Sequence, residues 1–347
     1  MMPKSSEALR GALIGCGFFA INQLHGWSDL PDVTIVAICD RDPDRLALVG
    51  DQFGIAARYT DAAQMLANER LDFVDIATMA PSHRALVELA AGHGLAIICQ
   101  KPIAPTLEDA RVMVAAAAEA GVKLMVHENF RWQTPIMAVR RAIDAGRIGT
   151  PFWGRISFRS GFDVYAAQPY LATGARFIIE DLGIHSLDVA RYLLGDALAI
   201  TARTRRVNPT IRGEDVATML LDHAGGVTSV VDCSYATRQQ DEPFPETFVE
   251  IDGTEGSLRL AKDYRLTITR PDGTAVEDVA PPLLAWASRP WHNIQESVFN
   301  IQRHWVETLR AGREPDTSGR DNLQTFALVQ AAYRSAESGQ TVRLDTL

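Results

Sequence analysis

Short apolar runs alternate with longer amphipathic stretches up to about residue 145 of the chain. Runs that are apolar at nearly every position predict strands buried on both faces, and the stretches between them have helical spacing. The predicted strands are Gly11–Ile14, Thr34–Cys39, Phe73–Ala77, Ala96–Cys99 and Leu124–His127. The predicted helices include Pro43–Gln52, Ser82–Ala91 and Thr106–Ala120. This alternation indicates strand–helix–strand units that build a doubly wound parallel sheet.

The pattern changes after Pro151, where polar and apolar residues alternate in short segments separated by turn residues. A period of two is typical of half-buried antiparallel strands. The predicted strands are Phe152–Arg159, Thr201–Val207, Val216–Leu221, Val227–Asp232 and Thr247–Asp252. Helical spacing recurs at Glu180–Leu194, Ser297–Ala311 and Asn322–Ser338. The second half is therefore predicted to be an α+β domain with a large, mainly antiparallel open sheet covered by helices.

Length and charge narrow the possible organisation and function. At roughly 150 residues per domain, a chain of 347 residues is long enough for two domains, which we place at 1–128 and 129–347. Apolar residues make up 47% and charged residues 22%, as in globular proteins. The chain has 34 Lys and Arg residues and 43 Asp and Glu residues, which gives a net charge of -9. The chain thus lacks the basic excess that binding to a nucleic acid requires.

The cysteines and the apolar segments indicate the cellular compartment in which the protein is expected. The four cysteines lie far apart and form no C-x-x-C pair, so neither a zinc site nor a disulfide framework is predicted. The first apolar stretch is interrupted by Gly15 and Gly17 and is too short for a signal-peptide core. No run of about 18 apolar residues is present. We expect a cytoplasmic protein without a membrane partner or a bound metal.

A glycine-rich turn follows the first predicted strand and precedes a helical stretch. Its sequence is Gly15-Cys16-Gly17-Phe18-Phe19-Ala20. Gly15 permits a sharp turn, Gly17 leaves room for a pyrophosphate at the helix N-terminus, and Ala20 lets the helix approach the sheet. Asp40 follows the second strand, where a carboxylate accepts hydrogen bonds from the adenosine ribose. This combination predicts a Rossmann domain that binds a nicotinamide dinucleotide.

Asp40 favours NAD over NADP. Two unit charges about 5 Å apart at an effective dielectric constant near 20 repel by roughly 3 kcal/mol, which disfavours a 2′-phosphate by about two orders of magnitude. Arg41 follows immediately and offers a charge that a 2′-phosphate could use, so NADP stays an alternative. The other interpretation of Arg41 is a solvated residue at the start of a helix.

Two further segments carry groups suited to acid–base chemistry. Lys101 lies at the end of the predicted strand Ala96–Cys99, two residues beyond it, and Pro102 restricts its backbone to an extended conformation. Asp181, His185 and Asp188 have the spacing of one helical face, and a carboxylate one turn before a histidine raises its basicity, as a general base requires. The lysine is also compatible with a surface position. The helical residues are also compatible with a structural histidine or a metal site.

Together these motifs resemble the Gfo/Idh/MocA family, to which glucose-fructose oxidoreductase and inositol dehydrogenase belong, over nearly the whole chain. The matching elements are the glycine turn with His25, Ile76-Ala77-Thr78 with His83, Lys101-Pro102, and Asp181 to His185 with Asp188. The resemblance implies NAD(P)-dependent oxidation of a sugar or polyol hydroxyl, with Lys101, Asp181 and His185 as catalytic residues. Gln100 departs from the glutamate that the family often has before Lys-Pro, which should make Lys101 easier to deprotonate.

Other stretches are similar to those of pentose-oxidising members of the family, in particular those that oxidise the branched aldose D-apiose to its lactone. These stretches are residues 127–133, 152–155 and 161–165. The residues expected to contact the cofactor are Gly15, Gly17, Phe18, Phe19, Asp40, Arg41, Thr78, His83, Gln100 and Asn129. The residues expected to contact the substrate are Lys101, Asn129, Arg131, Asp163, Tyr165, Asp181 and His185.

The expected reaction is oxidation of a cyclic aldose, such as D-apiose, at its anomeric carbon, with hydride transfer to NAD. His185 is the expected base, because an imidazole with a pKa near ~6.5 is poised at neutral pH whereas a lysine near ~10.4 is protonated. Lys101 is expected to stabilise the developing charge on the oxygen, although the two residues could exchange roles. The alternatives are a polyol or inositol dehydrogenase and a non-catalytic NAD-binding protein. The open sheet also predicts a homo-oligomer, a dimer or a tetramer, as is common in this family.

Overall fold

The computed structural model describes residues 8–346 of the chain, which form two compact units. Of these residues, the first unit contains 8–128 and Val298–Leu323. The second contains Asn129–Ser297 and 324–346. The sequence analysis placed Val298–Leu323 in the second domain, whereas in the structure this segment belongs to the first unit. The roles predicted for the two domains stay predictions.

A parallel sheet of six strands forms the centre of the first unit. Its strands are β1 (Leu9–Ile14), β2 (Val33–Cys39), β3 (Ala57–Tyr59), β4 (Phe73–Ile76), β5 (Ala96–Gln100) and β6 (Leu124–His127). Its helices before β6 are α1 (Phe18–Ser28), α2 (Pro43–Phe53), α3 (Ala62–Asn68), α4 (His83–Gly92) and α5 (Leu107–Glu119). The order across the sheet is β3-β2-β1-β4-β5-β6. Strands β2 and β3 therefore lie on one side of β1 and strands β4 to β6 on the other, and the strand order reverses between β1 and β4. Ligands of doubly wound sheets bind at such a point. The predicted Rossmann sheet is confirmed, although the short elements β3 and α3 were not predicted.

The later segment of the first unit completes its core. Trp305 is 0% exposed, and its ring centroid lies 6.3 Å from that of Phe73, which in turn lies 5.0 Å from Trp27. The backbone N–H of Val126, on the edge strand β6, donates to the carbonyl oxygen of Thr317 at 2.8 Å. The segment therefore supplies a core side chain and also covers an edge that would otherwise be open to pairing.

A sheet of nine strands forms the centre of the second unit. Its strands are β7 (Pro151–Arg159), β8 (Ala197–Arg205), β9 (Val216–His223), β10 (Thr228–Ser234), β11 (Phe248–Gly253), β12 (Gly256–Ala261), β13 (Arg265–Arg270), β14 (Gly273–Asp278) and β15 (Val342–Arg343). Their order is β14-β13-β12-β11-β7-β10-β9-β8-β15. Neighbouring strands are antiparallel except β7 and β10, which are parallel. The mainly antiparallel sheet is confirmed. The strands β12, β13, β14 and β15 were not predicted, and β14 has no apolar face because it is exposed at every position.

Four long helices follow β6 along the chain. They are α6 (Thr134–Asp144), α7 (Ile184–Leu194), α8 (His292–Arg310) and α9 (Gly319–Ser338). α7 packs against β7 and β10 and is buried at every position except Tyr192. The predicted helix Glu180–Leu194 is regular only from Ile184, because the turn before α7, Ile179–Gly183, is π-helical. No helix within residues 8–346 combines the length and the apolar character needed to cross a membrane.

Strand β4 places a carboxylate in the core of the first unit. Asp75 is 0% exposed and accepts hydrogen bonds from Gln23 Nε2 at 2.9 Å and Trp27 Nε1 at 2.7 Å. Burial raises its pKa to about 7, although the two hydrogen bonds oppose the shift. The unfolded chain titrates this group near ~3.9, so the folded state binds the proton more tightly. Stability is therefore lost as the pH rises from about 4 to about 7.

We expect Asp75→Asn to remove this loss, because an amide of the same size carries no charge and the Gln23 carboxamide can rotate to accept from it. The gain in unfolding free energy should be about 2 to 3 kcal/mol larger at pH 8 than at pH 5. Urea denaturation of both proteins across this range measures the difference. Asp72→Asn is the control, since Asp72 is only half-buried and accepts the N–H of Arg10 at 2.8 Å. A gain that is the same at both pH values would contradict the assignment.

Candidate functional site

The turn after β1 contains two glycines with different structural demands. Gly15 has a φ of 100°, and a Cβ there would lie 2.7 Å from the carbonyl oxygen of Ala77, so the fold itself requires glycine. A Cβ at Gly17 would meet no atom of the described residues within 4 Å. Gly17 is also the N-cap of α1 and provides no side-chain cap to its first N–H groups. An open helix N-terminus without a side chain in front of it fits a pyrophosphate.

Asp40, which directly follows β2, forms a hydrogen bond to this turn. One carboxylate oxygen accepts the N–H of Cys16 at 2.7 Å, and the other accepts the N–H of Asp42 at 2.9 Å. A carboxylate has about four acceptor positions, so these bonds leave capacity for ribose hydroxyls. Asp40 thus shapes the turn in addition to the ribose contact predicted for it. The predicted neighbours Phe18 and Arg41 are both exposed, and Phe19 is half-buried.

His83 connects two loops of the first unit. It is 0% exposed, with Nδ1 3.0 Å from the carbonyl oxygen of Ile103 and Nε2 3.0 Å from that of Thr78. Burial lowers its pKa, and the hydrogen bonds to these carbonyl groups oppose that shift. These contacts hold the turn after β4 next to the segment after β5, on which Lys101 lies. They explain His83 as a loop support, and direct contact with the cofactor stays a prediction.

Gln100 acts on the backbone of its neighbour. Its Oε1 accepts the N–H of Lys101 at 2.8 Å, and the side chain is 9% exposed. The half-buried Lys101 therefore leaves β5 with its backbone held in place. The carboxamide keeps this hydrogen bond without the negative charge that a glutamate would bring.

The second unit carries Asp181 on the π-helical turn and His185 on α7. The ring of His185 lies face to face with that of Phe130, with centroids 4.0 Å apart and planes 5° apart. His185 is 6% exposed, and Asp181 is half-buried with its N–H donated to the carbonyl oxygen of Phe177 at 2.8 Å. The stacking restricts rotation of the imidazole. π-Helical turns recur at functional sites, and here one positions the carboxylate predicted to assist the histidine.

Asp188, the third residue of the predicted polar face, has other partners. It is 0% exposed, its two oxygens accept from the guanidinium of Arg131, with the Nε bond at 2.6 Å, and Thr325 Oγ1 donates to it at 2.9 Å. This buried ion pair gives Arg131 a structural explanation, and its contact with a sugar stays a prediction. Between residues 8 and 346, no group of three or more His, Cys, Asp and Glu side chains is arranged to hold a metal ion.

The remaining predicted substrate residues lie on two segments of the second unit. Asn129 is 2% exposed, and its Nδ2 donates to Ser297 Oγ at 2.7 Å. Asp163 is exposed and accepts the N–H of Tyr165 at 3.0 Å, so it organises the turn on which that tyrosine lies. The Tyr165 ring is 5.7 Å from that of Phe177. Tyr165 therefore packs beside the start of the segment that carries Asp181.

Tyr235 is a candidate that the sequence analysis missed. It follows β10, and its ring is nearly parallel to that of Phe177, with centroids 5.8 Å apart. Burial raises its pKa well above the usual range, and the nearby charge of Asp181 raises it further. A protonated phenol near the candidate catalytic carboxylate is suited to donate a hydrogen bond. No motif surrounds Tyr235, and only the sheet order brings it to this position.

Comparisons with known proteins agree with both halves of this arrangement. Residues 9–128 match the model of an oxidoreductase family with an NAD-binding Rossmann fold, and residues 136–259 match the GFO/IDH/MocA C-terminal domain. The NAD-binding Rossmann domain predicted from the glycine turn and Asp40 is thereby confirmed.

Characterised relatives and a solved structure are similar over almost the full length. The chain is 63% identical over 339 residues to a D-apiose dehydrogenase of Rhizobium rhizogenes, covering 98% of each chain. It is 64% identical over 341 residues to a D-apiose dehydrogenase of Paraburkholderia graminis, covering 98% of this chain and 91% of the relative. The crystal structure of an oxidoreductase from Agrobacterium radiobacter in complex with NAD+, L-tartaric acid and magnesium superposes with a TM-score of 0.96. That protein is 63% identical, and the match covers 97% of this chain and 99% of the other.

The contrast between Gly15 and Gly17 gives a paired prediction. Gly17→Ala should fold with an unchanged melting temperature, because its Cβ meets no protein atom, but should weaken NAD binding by at least about tenfold by occupying the pyrophosphate space. Gly15→Ala should lower stability by about 1 to 2 kcal/mol or more, because alanine is strained at this φ and contacts Ala77. Calorimetric melting and NAD titration of both variants measure the two effects. A Gly17→Ala protein with normal NAD affinity would remove the pyrophosphate from this turn.

Proposed function

The chain belongs to the Gfo/Idh/MocA family of oxidoreductases, and from this we propose that it oxidises a cyclic aldose, D-apiose first of all, at the anomeric carbon to the lactone. That it is an NAD-binding oxidoreductase acting on sugars follows from the family and its relatives. The observation that carries the choice of substrate is the identity of 63% and 64% to two D-apiose dehydrogenases over 98% of the chain. The motifs in residues 127–133, 152–155 and 161–165 support the same sugar.

Asp40 supports NAD rather than NADP as the working cofactor. Its carboxylate already accepts two backbone N–H groups, which fixes the negative charge at the end of β2. A 2′-phosphate near that charge would be repelled by roughly 3 kcal/mol. Arg41, which could compensate, is exposed. We therefore propose a preference for NAD of about two orders of magnitude.

His185 is the proposed base of the reaction. When bound, the nicotinamide accepts a hydride from the sugar carbon. An imidazole nitrogen of His185 takes the proton of the sugar hydroxyl, and the stacking on Phe130 at 4.0 Å keeps the ring in one orientation while it does so. Asp181 orients His185 or holds an adjacent sugar hydroxyl.

Lys101 is proposed to donate a hydrogen bond to the reacting oxygen and to stabilise the negative charge that develops there. Its backbone is held by Gln100 Oε1 at 2.8 Å, and the neighbouring Ile103 carbonyl by His83 at 3.0 Å, so the lysine projects from a fixed segment. A group held in advance costs little reorganisation when the charge appears.

The proposed partner besides the sugar is a second copy of the chain. Large apolar side chains of the nine-stranded sheet are exposed, among them Phe152 at 54%, Leu220 at 46% and Leu198 at 45%. Exposed apolar surface of this kind supports association with another apolar surface. We propose a homo-oligomer, a dimer or a tetramer.

A screen of sugars tests the proposed function. The purified chain with NAD should form NADH most efficiently with D-apiose, with kcat/KM at least about tenfold above other aldoses and polyols. The product should appear first as a lactone by NMR. A higher kcat/KM with an inositol would indicate a polyol dehydrogenase, and no NADH with any sugar or polyol would indicate a non-catalytic NAD-binding protein.

Replacement of His185 tests the mechanism. His185→Ala should lower kcat by about two to four orders of magnitude and leave NAD affinity unchanged. His223→Ala is the matched control, because His223 is a buried histidine whose ring nitrogens bind the Gly195 carbonyl at 2.7 Å and Ser229 Oγ at 2.8 Å. This variant should lose stability but keep its kcat. Unchanged turnover in His185→Ala would remove His185 from the mechanism.

A further inference from the structure

The segment that carries Asp181 and His185 begins inside the second unit. Phe177 is 1% exposed, and Ile178 and Ile179 are both 0% exposed. The first N–H groups of a helix have no partners within the helix, and at a buried helix start they must find partners elsewhere in the protein. The source of those partners decides how firmly the start of this segment is held.

Glu214, which lies just before β9, supplies most of them. Its backbone carbonyl oxygen accepts the N–H of Ile178 at 3.0 Å. Its side-chain Oε1 accepts the N–H of Phe177 at 3.2 Å and that of Ile179 at 3.4 Å. A carboxylate at a helix N-terminus also interacts favourably with the helix dipole. One residue thus binds three consecutive amides.

Tyr333, on α9, supplies the next partner. Its hydroxyl accepts the N–H of Glu180 at 3.2 Å and donates to Glu214 Oε1 at 2.7 Å. Burial and the charge of Glu214 raise the pKa of Tyr333, so its hydroxyl stays protonated and keeps donating. The guanidinium of Arg176 lies 4.4 Å from the centre of the tyrosine ring and covers it. The hydroxyl is therefore fixed between the helix and the carboxylate.

These contacts end where the candidate catalytic residues begin. Asp181 is the next residue, and its N–H already has a partner within the segment, the Phe177 carbonyl at 2.8 Å. Glu214 and Tyr333 together bind all four preceding amides from outside the helix. We propose that Glu214 and Tyr333 are positioning residues for sugar oxidation, which set the placement of Asp181 and, one turn later, of His185. This inference rests on the proposed function, in which those two residues act on the sugar.

The loop that carries Glu214 is itself held in place. A Cβ on Gly213 would lie 2.9 Å from that of Phe177, so the loop lies directly against the helix start. The carboxylate of Asp215 accepts the N–H of Val207 at 2.6 Å and that of Asn208 at 2.9 Å. A loop fixed on both sides of Glu214 transmits little motion to Asp181. Reacting groups displaced by about 1 Å lose about a hundredfold in rate, so such a support matters for turnover.

Three variants and a control test the proposal. Glu214→Ala removes the acceptor and should lower kcat by at least about tenfold, with NAD affinity within about twofold of the wild type. Glu214→Gln keeps an oxygen for the same N–H groups and should restore kcat to within about threefold. Tyr333→Phe removes the acceptor of the Glu180 N–H and one donor to Glu214 Oε1, leaves the other three amides bound to Glu214, and should give an intermediate kcat. Hydrogen exchange of the amides of residues 177–183 should accelerate in Glu214→Ala, less in Tyr333→Phe, and not in Glu214→Gln.

Ser318→Ala is the matched control. Ser318 caps the opposite end of α9 by accepting the N–H of Asp321 at 3.2 Å. Loss of this cap should lower the melting temperature without changing kcat or the exchange of residues 177–183. An equal fall in kcat in this variant would mean that general loss of stability explains the result, and would overturn the proposal.

The outcomes separate this inference from the proposed function. An active wild type with an equally active Glu214→Ala would overturn the positioning role and leave the function intact. A Glu214→Gln protein as slow as Glu214→Ala would overturn the role of Glu214 as a hydrogen-bond acceptor. If Glu214→Ala does not fold, Tyr333→Phe decides, and an unchanged kcat counts against the proposal. A wild type that oxidises no sugar would overturn the proposed function and this inference with it, whatever the exchange rates.

Discussion

Burial of a polar helix is the constraint on which the second unit depends. Because α7 is buried at every position but Tyr192, each of its charged side chains needs a partner inside the protein. The ion pair between Asp188 and Arg131 meets that need, and removal of one partner from such a pair costs about 3 to 5 kcal/mol. Thr325 adds a hydrogen bond at 2.9 Å, so α7, α9 and the short turn after β6 meet at one carboxylate. Apolar packing alone would leave the relative placement of these elements less defined.

The same interaction connects the architecture to the chemistry. Arg131 belongs to the single helical turn Phe130–Trp132, whose first residue stacks on His185. The guanidinium therefore anchors this turn. Phe130, on the same turn, stacks on the imidazole of His185 and fixes its plane. In the first unit, the polar contacts of Asp40 and His83 have a comparable effect, since each joins two loops at the carboxyl ends of parallel strands. Both units place their candidate reactive groups on segments that buried or half-buried polar contacts hold in position.

The sequence predicts most of what depends on local pattern and much less of what depends on distant partners. The parallel strands and the glycine turn follow from apolar runs and from the conformational needs of Gly15, and both are confirmed. Helical spacing placed Asp188 on one face with His185, but spacing does not reveal that Arg131, 57 residues away in sequence, binds it. Tyr235 and Glu214 were missed for a similar reason, because only the order of the strands brings them near the helix. The site assignments therefore stay predictions, although the family and the NAD-binding fold are confirmed.

The discontinuous first unit has a consequence for how the chain acquires its structure during synthesis. Phe73 packs against Trp305, yet the ribosome makes the tryptophan about 230 residues later, which at about 5 to 20 residues per second means a delay of roughly 10 to 45 seconds. During that interval the parallel sheet has neither this core ring nor the strand-edge cover from Thr317. The nascent sheet would expose apolar surface and a pairing edge, and this is the period in which a chaperone has most to protect.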